Sequence, residues 1–106
     1  MGYNSVQGVT VMDLGIIKQK AAPVLRRYGI SKAAVFGSFA RGEQNAGSDI
    51  DILIQYSSEA KKSLFTRIKL KNELEDVLQK NVDVVTEKAL SPLLRQAVLK
   101  EKRDIL

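Results

Sequence analysis

From Phe36 to Ile54 the chain reads FGSFARGEQNAGSDIDILI, and this stretch limits the possible folds more than any other. Gly37-Ser38 ends one apolar run, Lys32 to Phe36 (KAAVF), while Asp49 and Asp51 open another, carried by Ile50, Ile52, Leu53 and Ile54. Both runs have the length and aliphatic content of buried strands. Side chains at i and i+2 of a strand share a face, so the two carboxylates point the same way. Two like charges that close oppose each other's ionisation, and burying either without a partner costs several kcal/mol. A divalent cation relieves both penalties. Oxygen-only ligands select a hard ion, and magnesium takes one or two carboxylates and leaves its other positions to water and phosphate oxygens.

An Asp-x-Asp pair alone is a common solvated strand end; its coupling to Gly37-Ser38 is what carries weight. A glycine at a strand end lets the backbone approach a phosphate closely. The N–H groups that follow form an anion-binding nest, to which the Ser38 hydroxyl adds a donor. Phe39, Ala40 and Arg41 continue as a helical turn before Gly42. Arg41 can face the phosphates or pair with an acidic neighbour, Asp49 or Glu43. Together the parts describe a site completed by a nucleotide.

The rest of the chain supplies a frame for that site. Thr10 followed by Asp13 opens a helix that runs to about Tyr28, with Gly29 at its C-cap, after a polar arm over residues 1–9. Leu14, Ile17, Ala21, Val24, Leu25 and Tyr28 recur at the helical period, and Pro23 removes one hydrogen bond from that helix. Residues 56–62 form a polar loop. A second helix, 63–78, is expected to turn Leu64, Phe65, Ile68, Leu74, Val77 and Leu78 to the core and its charged residues to water. Val82, Val84 and Val85 make a third strand, whose alternation puts Asp83 on the face opposite Val82 and Val84. Ser91-Pro92 then caps and starts a final helix to about Lys102. The fold expected is α/β (α+β), a small mixed β-sheet packed against helices, with residues 10–106 as a single domain.

At 106 residues the chain can bury roughly 60–70% of its unfolded surface. It has no cysteine and no histidine, which excludes disulfides, thiolate metal sites, histidine-ligated zinc and Ser-His or Cys-His catalysis. No apolar run reaches the length of a membrane span and no signal-peptide pattern opens the chain, so cytoplasmic residence is the default expectation. The net charge of +5 suits a nucleotide, a nucleic acid or an acidic protein. The basic residues are scattered, however, and three Tyr and three Phe give no stacking platform, which argues against direct nucleic-acid binding.

GSFARG, the spacer EQNAG and SDIDIL together resemble the signature of the DNA polymerase beta-like nucleotidyltransferase superfamily, in its minimal nucleotidyltransferase (MNT) branch. The resemblance implies a nucleotidyltransferase fold and a third carboxylate on a later strand, a position that Asp83 matches. It implies ATP as substrate and two Mg2+ ions held by Asp49, Asp51 and Asp83, with Gly37 and Ser38 on the phosphates and Arg41 as a further nucleotide contact. It also implies a HEPN-domain toxin as partner, with AMP passed to a hydroxyl, a tyrosine in the better understood pairs, so that the chain acts as antitoxin. Two alternatives stay open: an antitoxin that works by occlusion without catalysis, and a transferase of the aminoglycoside-modifying type, built as a homodimer.

Overall fold

The computed structural model describes residues 13–60 and 62–106. The arm at 1–9 and the Thr10 half of the expected capping box lie outside the described residues. Asp13 itself is the cap of the first helix, α1 (Leu14–Arg27): it is extended, and its carboxylate accepts the Ile16 N–H at 3.0 Å. Helix α1 runs unbroken through Pro23, which lies on the exposed side with Gln19. The carbonyl that Pro23 leaves without a donor therefore has water available.

Four strands build one mixed sheet in the order β3-β2-β1-β4. Strand β1 (Ile30–Phe36) pairs antiparallel with β2 (Ile50–Tyr56), and β2 pairs parallel with β3 (Val82–Thr86). Between β1 and β2 lies a one-turn helix, α2 (Ser38–Arg41); between β2 and β3 lies α3 (Leu64–Leu78). After β3 come a 3-10 turn at Glu87–Ala89, α4 (Pro92–Glu101) and β4 (Arg103–Asp104), which pairs antiparallel with β1. Ser91 caps α4 by accepting the Leu94 N–H. The 3-10 turn and β4 were not expected from the sequence. A two-residue strand in the charged run KEKRD has no period to read.

Alternation divides the sheet into two unlike faces. Ala33, Val35, Ile50, Ile52, Ile54, Val82 and Val84 point to α1 and α3, where they meet Ile17, Ala21, Val24, Leu25, Leu70, Leu74 and Leu78 in the main core. On the reverse face Leu53 joins Leu90 and Val98 of the α4 region, with Phe36 and Val85 at its margin. Asp51 and Asp83 stand two residues before Leu53 and Val85, so both carboxylates lie on this second, thinly covered face.

Helix α3 departs from its expected orientation. Leu70, Leu74 and Leu78 are buried, whereas Leu64, Phe65 and Ile68 are 73%, 70% and 47% exposed. At 3.6 residues per turn Phe65 and Ile68 sit roughly 120° or more around the helix from the line through Leu74, so one apolar stripe cannot include all six residues. Glu75, read as part of a solvated face, instead ties α3 to β3. Its carboxylate accepts the Val82 N–H and the Lys71 ammonium, each at 3.0 Å.

Candidate active site

Asp49 immediately precedes β2, Asp51 is its second residue and Asp83 is the second residue of β3. The parallel register sets Asp51 directly against Asp83. Asp51 is half-buried, while Asp49 and Asp83 are exposed. Burial pushes the Asp51 carboxyl above its ordinary value, and the charges of Asp83, Asp49 and Glu101 push it further, against a smaller opposing effect of Arg41. Among the described residues, none of these three carboxylates is hydrogen-bonded or ion-paired. Three acids thus stand without an ion-paired side chain among the described residues, and one of them is partly desolvated.

The antiparallel register places Phe36, the last residue of β1, against Asp51. The Gly37 turn that follows packs on the Asp51 side chain, and a Cβ at Gly37 would collide with Asp51 Oδ2. Its φ of 78° and ψ of −153° also belong to a region that only glycine enters at low cost. Glycine is therefore demanded twice at this position, by its own backbone and by the carboxylate across the ladder. The two halves of the sequence motif are one packed unit.

Ser38 opens α2, and its hydroxyl has no hydrogen-bond partner among the described residues. Phe39 and Ala40 are buried and anchor this short helix to the core side. The spacer folds on itself: the Ser48 hydroxyl accepts the Asn45 N–H at 2.9 Å, and Asn45 Oδ1 accepts the Gly47 N–H at 2.8 Å. Lys80 holds the spacer from the other side, donating to the Ala46 carbonyl at 3.0 Å with its ammonium 5.9 Å from the Phe39 ring centre. Between them an open cleft of about 450 Å³ lies beside Asp49, lined also by Ser48, Gln79, Lys80 and Asn81. The motif did not single out Lys80 or Asn81, because they belong to the connection between α3 and β3, which meets the spacer only in the folded chain.

Of the roles open to Arg41, the structure shows ion pairs: Nε donates to Glu43 at 2.9 Å and Nη1 to Glu101 at 3.1 Å, and Asp49 is not a partner. These contacts hold the guanidinium in its charged form. Glu101 also accepts the Gly37 N–H at 2.6 Å. No sequence signal marks Glu101, which sits in a run of charged residues at the end of α4.

The acidic set suits a hard divalent cation by its chemistry. All its donors are carboxylate oxygens, they have no ion-paired side chain among the described residues, and burial together with like-charge repulsion raises the proton affinity of the half-buried one. Among the described residues no group of three or more His, Cys, Asp or Glu side chains is placed to hold a metal ion by itself. An open set of this kind matches an ion that keeps water and phosphate oxygens in its remaining positions.

Comparison with known proteins agrees with this architecture. A nucleotidyltransferase domain model matches residues 17–105. A protein of Methanocaldococcus jannaschii, named provisionally as a protein adenylyltransferase, is 45% identical over 90% of this chain and 100% of its own length. The protein adenylyltransferase MntA of Thermococcus cleftensis is 39% identical over 71% of this chain and 74% of its own length. A solved toxin–antitoxin structure with AMP-PNP superposes with a TM-score of 0.72 at 26% identity, covering 84% of this chain and 72% of that one. The chain belongs to the nucleotidyltransferase domain family.

Proposed function

We propose that this chain transfers AMP from ATP to a hydroxyl, that of a tyrosine, on a HEPN-domain toxin and so acts as the antitoxin of the pair. The observation that carries the reading is the packed unit of Gly37, Asp51 and Asp83: a phosphate-approach turn seated against a carboxylate that is in register with a second one. The relatives' named activity supports protein adenylylation. The toxin–antitoxin structure with AMP-PNP supports both the nucleotide and a toxin as the partner.

In this reading Gly37 and Ser38 bind the β and γ phosphates through the free hydroxyl and the turn's N–H groups, and Arg41 neutralises part of their charge. Asp49, Asp51 and Asp83 would hold two Mg2+ ions, which when bound would supply Lewis acidity to the attacking and leaving oxygens. Asp83 would favour loss of the acceptor hydroxyl proton, which passes to water. The acceptor oxygen bonds to the α-phosphorus, the bond to the bridging oxygen breaks, and pyrophosphate leaves.

The deciding experiment is the intact mass of the HEPN partner after incubation with this chain, ATP and magnesium, beside an Asp49→Asn control. A gain of one or more AMP units that vanishes in the control is the expected result. A stable complex without mass change would replace catalysis with occlusion, and the absence of both would return a small-molecule acceptor to consideration.

A further inference from the structure

Glu101, the last residue of α4, places an acid where the site needs donors. Its carboxylate takes the Gly37 N–H at 2.6 Å and reaches Arg41 Nη1 with both oxygens, at 3.1 and 3.3 Å. The side chain is 24% exposed, and its charge adds to that already crowding Asp51. A fourth acid beside three unpartnered carboxylates is unfavourable unless charge-assisted hydrogen bonds offset it, and the contacts to Gly37 and Arg41 supply them. The backbone around Glu101 is anchored on both sides. Val98 is buried one turn before it, and after it β4 pairs with β1 and Ile105 is buried. Lys102 has already left the helix, with φ −58° and ψ 147°, so Glu101 is the residue that ends α4.

We propose that Glu101 is an internal anion that fills the phosphate seat of the nucleotide-free site, and that a nucleoside triphosphate binds only as this carboxylate leaves Gly37 and Arg41. The inference rests on the reading above, in which these groups receive the triphosphate. Glu101 then lowers affinity for nucleotide and holds the Gly37 turn and Arg41 in place until one arrives. Only a ligand carrying enough negative charge to replace a two-donor contact displaces it.

The test is calorimetric binding of AMP-PNP with magnesium to the wild type, Glu101→Gln and Glu101→Ala, together with the backbone amide resonance of Gly37. Both variants are expected to bind roughly three- to tenfold more tightly, since they remove a competing charge whose contacts to Gly37 and Arg41 are partly screened by solvent. The Gly37 amide proton should move upfield in both before any nucleotide is added. Wild-type binding that either variant leaves unchanged or weakens would overturn the proposal and make Glu101 a positioning residue for Arg41. If the Gly37 resonance responds to substitution but neither the wild type nor the variants bind AMP-PNP, the nucleotide reading itself fails, and the proposal with it.

Discussion

Asp51 illustrates how a site residue can act against the fold that holds it. In the folded chain its carboxyl lies above the ordinary carboxylate value, first because it is half-buried and then because Asp83, Asp49 and Glu101 repel its charge. The folded state thus holds the Asp51 proton more tightly than the unfolded chain does. Ionisation of Asp51 therefore costs stability, and the cost grows as pH rises from the ordinary carboxylate value through the raised one. Asp51→Asn is therefore expected to raise the melting temperature of the metal-free chain by a few degrees at pH 7 while abolishing AMP transfer, measured by calorimetry in chelator and by intact mass. A lower melting temperature would show that the carboxylate is structurally required. That Asp49 and Asp51 belong together was legible from their spacing before an apolar run. That Gly37 must be glycine because of Asp51 was not, since the collision exists only across the β1–β2 register.

At the level of elements, periodicity located nearly everything and oriented most of it. The strands at 30–36, 50–56 and 82–86 contain the apolar runs expected of them, and α4 begins where Ser91-Pro92 predicts. Helix α3 shows where the method stops. Leu64, Phe65 and Ile68 are as apolar as Leu70, Leu74 and Leu78, and only packing against the sheet selects the second set as core. The Glu75 tie between α3 and β3 was hidden for the same reason, because a lysine four residues earlier makes it read as an ordinary helix-surface pair. The Val82 N–H and Lys71 hold the Glu75 carboxyl below the usual range. Such a group stabilises the fold above its unfolded pKa and loses that contribution as pH falls through its folded one. Glu75→Gln should accordingly cost about 1 kcal/mol at pH 7, and the gap to the wild type should close in acid. Urea unfolding at the two pH values measures it, and an equal gap at both would assign the loss to shape rather than charge.

For the whole molecule, the division of labour between the two sheet faces matters most. One face carries the main core with α1 and α3; the other carries the acids and a small cluster under α4. Stability and chemistry are thus assigned to opposite sides of the same strands, and removing charge from the second face leaves the main core intact. Ligands that bind only the folded chain stabilise it by mass action, by about 2.7 kcal/mol at a hundred times the dissociation constant. ATP with magnesium should therefore raise the melting temperature in a concentration-dependent way, and chelator or Asp51→Asn should remove that increase. A shift that persists in both would place the nucleotide away from the acids. The sequence by itself determined the local structure, from capping residues and period to the glycine-serine turn, the paired aspartates and the third acid in a valine strand. These are written in neighbours along the chain. Only the tertiary structure decided which face of α3 is core, that Asp83 stands in register with Asp51, and that Glu101 and Lys80 border the site. Those contacts join residues far apart in the chain, and nothing but the sheet register and the packing of helices brings them together.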